Sequence, residues 1–124
     1  MQTDIYIDPK IDIYSDEYIE VLIEFKIKPA KVAMAISHLG LTMEQAKKQV
    51  DMSHQSFQSD LKILDEQQNK YSVIHTYKDS FNGVAMRLKG NAIKHLLKST
   101  AIKAVYKNKE IGLPKKPVDT RYQI

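Results

Sequence analysis

The chain has 124 residues, with 19 basic and 15 acidic side chains and no cysteine. That is the length of one domain able to bury its own core, and the missing cysteines exclude a disulfide framework or a thiolate metal site. The net charge of +4 points to solubility rather than a nucleic-acid footprint, and no apolar run approaches the roughly 18 residues of a membrane span.

Residues 1–17 interleave Ile5, Ile7, Ile11 and Ile13 with Asp4, Tyr6, Asp8, Asp12 and Tyr14, and Pro9 interrupts the run. They are expected to form an extended arm that lies on the domain or frays, an added edge strand being the alternative. Tyr18 to Lys26 reads as the first strand, with Ile19, Val21, Ile23 and Phe25 on one face and Glu20, Glu24 and Lys26 on the other. Such alternation buries one sheet face and leaves the other available. Lys28-Pro29-Ala30 ends the strand, and 30–41 is ambiguous, with a short helical turn over Val32 to Ile36. Thr42 and Gln45 have capping-box spacing. They open a long helix, ending near Gln67, whose Ala46, Val50, Ser53, Phe57, Leu61 and Leu64 make one apolar stripe. His54 lies beside that stripe, packing its ring, since no second metal-binding side chain follows one turn away.

Tyr71 to Tyr77 is rich in β-branched and aromatic residues, and Val84, Met86 and Leu88 alternate with Ala85 and Arg87. Between these strands, Asp79, Ser80, Asn82 and Gly83 are turn formers, and Asn-Gly readily supplies positive φ. Phe81 is expected to fold back under the hairpin, because burying such a side chain is worth about 1.5–3 kcal/mol. Gly90-Asn91 opens a shorter helix with Ile93, Leu96 and Leu97 inward and His95 toward solvent; Ile102 to Lys107 is the last strand. The order β-α-β-β-α-β gives an α+β, ferredoxin-like split βαβ fold: an antiparallel sheet with two helices on one face.

The chain has no Gly-x-Ser-x-Gly elbow and no Gly-rich phosphate loop. His38, His54, His75 and His95 fall on different elements without metal-ligand spacing. Catalysis by this chain, a metal and a cofactor are therefore not expected. The same element order serves RNA recognition, which needs aromatic residues on exposed positions of the central strands. Gly83 to Leu88 offers none, and only Arg87 is basic. A ferredoxin-like nucleic-acid or ligand-binding module is therefore kept as the alternative of a different class.

Tyr77, followed by Phe81-Asn82-Gly83-Val84-Ala85-Met86-Arg87-Leu88, resembles the hairpin of subtilisin-type propeptides, the peptidase-inhibitor family that precedes subtilases. The helix at Ile93, Leu96 and Leu97 and the strand at Ile102 and Val105 continue the likeness, which spans about Tyr18 to Glu110. The resemblance implies a secreted bacterial protease's propeptide, acting as intramolecular chaperone and inhibitor. Its cognate subtilisin-like catalytic domain would be the partner, with no nucleic acid or membrane involved. It divides the chain into an arm (1–17), an inhibitor domain (18–107) and an extended C-terminal tail (108–124). Met1 to Lys10 has no cationic start or apolar core, so the chain is expected to begin after any signal segment. In such a complex the open sheet face packs on two protease helices, and the tail lies in the substrate cleft like a bound peptide.

The protease-binding residues implied are Phe81, Asn82, Gly83, Ala85, Tyr106, Asn108 and Glu110. Tyr106 and Asn108 stand where the family commonly has carboxylates that cap the protease helices, and only Glu110 is acidic. Arg121, Tyr122, Gln123 and Ile124 are the implied cleft residues, and Pro114 and Pro117 hold the tail extended. A stand-alone inhibitor acting on a subtilase in trans is the alternative within the same family.

Overall fold

A computed structural model describes residues 4–36 and 40–108. Its strands are β1 (Tyr6–Ile7), β2 (Tyr18–Phe25), β3 (Tyr71–Tyr77), β4 (Gly83–Lys89) and β5 (Ile102–Lys107). Its helices are α1 (Ala30–Ile36), α2 (Met43–Asp60), α3 (Lys62–Glu66) and a 3₁₀ helix over Gly90–Leu96. The sheet order is β1-β5-β2-β4-β3, antiparallel throughout except for the parallel pair β1–β5. The four strands after β1 thus have the arrangement expected of a split βαβ unit.

Alternation decides the faces. Val21, Ile23 and Phe25 of β2 and Val84, Met86 and Leu88 of β4 enter one core with Phe57, Leu61 and Leu64 from the helices. Ile93, Leu96, Ile102 and Val105 complete it. A smaller cluster of Ala30, Ala46 and Val50 fastens α1 to α2.

Three features differ from the sequence expectation. The arm enters the sheet and core: Tyr6 and Ile7 pair with Ala104 and Val105, and Ile5 and Ile11 are buried. Glycine makes room for it, since a Cβ on Gly90 would lie 2.2 Å from Asp12 O. The long helix starts as expected, with the reciprocal Thr42–Gln45 capping box formed, but it breaks at Leu61. There Leu64 N–H bonds to Leu61 O, the short i→i+3 pattern of a 3₁₀ turn, while the apolar stripe runs on through the break. The helix between β4 and β5 is likewise 3₁₀ rather than α.

α3 ends in a Schellman turn. Asn69 N–H reaches Leu64 O and Gln68 N–H reaches Asp65 O, with Gln68 at φ 59°. A glutamine holds the left-handed position usually given to glycine.

Candidate functional site

The turn between β3 and β4 is built from within. Asn82, 1 % exposed, projects to the helix side. Its Nδ2 donates to Ile27 O (2.8 Å) and to Ser53 Oγ (3.0 Å), which leaves Oδ1 to accept from His54 Nε2 (2.8 Å). Ser53 Oγ in turn donates to Val50 O. His54 Nε2 also lies 3.1 Å from Tyr77 O, so this nitrogen carries the proton and faces two acceptors. Burial holds the His54 pKa below its ordinary value and so keeps the ring neutral; nearby Lys78 acts in the same direction. The bonds to Asn82 and Tyr77 and the Asp51 carboxylate oppose this shift without reversing it. One network therefore ties α2, the end of β2 and the hairpin together.

Gly83 has its own steric reason. A Cβ there would sit 1.9 Å from Ile23 O on β2 and 2.7 Å from the Phe81 ring. Close approach of two strands requires the glycine, whereas a positive φ does not: among the described residues only Gly40 and Gln68 have one. Phe81 also departs from expectation. It is half-buried and stacks edge-on to Tyr77 at 5.8 Å, while Asn82 takes the place under the hairpin.

The other sheet face bears a different set. Leu22 stands between Ala85 on β4 and Tyr106 on β5, and His75 on β3 pairs with Ala85 from the far side. Arg87 and Lys89 approach the Tyr18 ring, with cation-to-centroid distances of 5.4 and 5.8 Å. At the opposite margin Tyr6 and Tyr106 have ring centroids 5.8 Å apart. Tyr106 O–H donates to Glu24 Oε1 (3.2 Å), and Asn108 Nδ2 donates to Glu20 Oε2 (2.7 Å). Partial burial and the Glu24 carboxylate push the Tyr106 phenol above its ordinary pKa. The result is a sheet face with half-buried Leu22 at its centre beside the fully buried Ala85, aromatic margins, and the Glu20 and Glu24 carboxylates on either side of Leu22 along β2.

A family model described as peptidase inhibitor I9 matches residues 21–113. The chain belongs to this family. I9 domains are subtilisin propeptides, non-catalytic inhibitors of the proteases they accompany, so the domain is not an enzyme by itself. Comparison with curated proteins and with solved structures gives no match.

The residues singled out from the sequence separate on this I9 domain. Ala85, Tyr106 and Asn108 come together on the open face. Asn82 is turned away from any partner, because its amide is consumed inside, and Gly83 offers only backbone; both shape the hairpin. Phe81 borders a cleft of about 200 Å³ with Glu24, Lys28 and Lys103, at the end of the sheet where Glu24 pairs with Gly83. Glu110, Arg121, Tyr122, Gln123 and Ile124, like His38, lie outside the described residues. Sequence reasoning overlooked Glu20 and Glu24 as site residues. Their signal was the polar half of the β2 alternation, visible only once β5 is known to lie beside β2. Among the described residues no group of three or more His, Cys, Asp or Glu is placed to hold a metal.

Proposed function

We propose that this I9 domain is the propeptide of a secreted subtilisin-like serine protease, and that it chaperones and inhibits that enzyme through its open sheet face and C-terminal tail. The observation that carries the reading is the sheet face opposite the helices, centred on the half-buried Leu22 between Ala85 and Tyr106, in a chain of this family. Ala85, fully buried between Leu22 and His75, adds no side-chain height there and lets a helical surface of the protease approach the sheet closely, with Tyr6, Tyr18 and Tyr106 as amphipathic margins.

The acids missing from β5 have a substitute in this arrangement. Glu20 and Glu24 present carboxylates next to Asn108 and Tyr106, and both are held there by hydrogen bonds. Two ordered carboxylates, one on each side of Leu22 along β2, suit the positive N-terminal ends of two protease helices. Residues 109–124 then supply the substrate-like segment, with main-chain hydrogen bonds giving affinity.

The test is inhibition of purified subtilisin-type proteases by the full chain and by a version ending at Asn108. Potent inhibition that collapses on truncation is expected. Equal inhibition by both would keep the sheet as the binding surface and reject the role of the tail. Inhibition of no subtilisin-type protease would reject the reading altogether.

A further inference from the structure

We infer that residues 4–17 form a clamp that fixes where the C-terminal segment leaves the sheet, with Asp8 as the positioning residue; this rests on the inhibitor reading above. The arm lies outside the span that matches the family, which begins at residue 21. It is nevertheless anchored at two points, by the buried Ile5 and Ile11 and by the close passage of Asp12 over Gly90.

What the anchors hold in place is Asp8. Its N–H donates to Val105 O (2.8 Å), and its Oδ2 accepts from Lys107 N–H (3.0 Å). Its Oδ1 accepts from Lys10 N–H (3.0 Å) and its carbonyl from Ile11 N–H (3.0 Å), so the carboxylate is oriented by its own turn. From the opposite side, Glu20 O accepts from Asn108 N–H (3.0 Å), and Glu20 Oε2 from Asn108 Nδ2 (2.7 Å).

Lys107 and Asn108 are thus gripped from both neighbouring strands, at the point where β5 gives way to residues 109–124. A strand end with an unpaired outer edge frays. With the exit held, the tail starts from one position and direction, and less conformational freedom remains to be lost when it enters a cleft.

The test is a four-way comparison of binding to a catalytically inactivated subtilisin-type protease. The chains are the full-length protein and the version ending at Asn108, each with and without Asp8→Ala. A charge-assisted hydrogen bond of this kind predicts that Asp8→Ala weakens binding of the full chain by about tenfold and leaves the shortened chain unchanged. In the free full chain, hydrogen exchange at the Lys107 amide should accelerate while the Val21 and Ile23 amides stay protected. Equal weakening at both lengths would make Asp8 a structural or contact residue and overturn the inference, as would no weakening at either. If the wild-type full chain binds no subtilisin-type protease, the inhibitor reading fails, and this inference with it.

Discussion

Asn82→Ala is the sharpest test of how the hairpin is held. The substitution deletes three side-chain hydrogen bonds, to Ile27 O, Ser53 Oγ and His54 Nε2, at a site with 1 % exposure. Ser53 retains Val50 O, and His54 retains Tyr77 O, so neither is wholly orphaned. At about 1 kcal/mol per net hydrogen bond the loss is about 3 kcal/mol. Against a total stability on the order of 5–15 kcal/mol, that is a large share. For a domain of this size it corresponds to a fall in Tm of about 10–15 °C. Thermal and urea unfolding followed by circular dichroism read it directly, with the urea midpoint moving at constant slope. Asn82→Asp separates chemistry from shape, because it keeps the acceptor for His54 and loses both donors. Both variants unfolding within about 1 kcal/mol of the wild type would refute the network as the element that secures the turn.

Three further outcomes follow from the same geometry. Gly83→Ala should cost at least about 3 kcal/mol, since its Cβ must displace the Ile23 carbonyl; a denaturation midpoint near wild type would show that β2 and β4 can part cheaply. His54 has a folded pKa below the unfolded value of 6.5. The unfolded chain therefore binds the proton first, so stability is full above about pH 6.5 and declines as pH falls through the folded value. Urea midpoints measured from pH 7.5 down to 5 should show that decline, and His54→Gln should flatten it. Leu22→Arg, at the middle of the open face, should weaken protease binding about thirtyfold or more with Tm nearly unchanged, whereas unimpaired binding would place the interface elsewhere.

The strand and helix positions were legible because each carries its own period. The burial of Val21, Ile23 and Phe25 follows from alternation, and that of Ala46, Val50 and Phe57 from helical spacing. The break at Leu61 was not legible, since the stripe continues across it without a Gly or Pro to mark it. The hairpin tip misled for a physical reason. Propensity ranks Phe81 as the residue to bury, but three polar partners, two of them buried, reward Asn82 more than an apolar ring could be rewarded there. The arm was open to two readings because Ile5 and Ile11 carry no periodicity that names a partner strand. That partner lies at the far end of the sequence. Glu20 and Glu24 illustrate the same gap: the sequence places them on the polar face of a strand, and only the strand order brings them to Tyr106 and Asn108.

The contact between Asp8 and Lys107 joins positions 99 residues apart. Closing a loop of that length costs about 4 kcal/mol of chain entropy beyond a constant, and β1 returns only two paired residues plus Ile5 and Ile11. The hairpin of β3 and β4 closes a far shorter loop. On contact-order grounds, then, folding is expected to start at the hairpin and α2, with the arm docking last; pulse-labelling hydrogen exchange that protects the Asp8 amide before those of β4 would refute this. A ribosome must deliver β5 before β1 has anything to pair with, so the amino terminus of this domain waits for its carboxyl end.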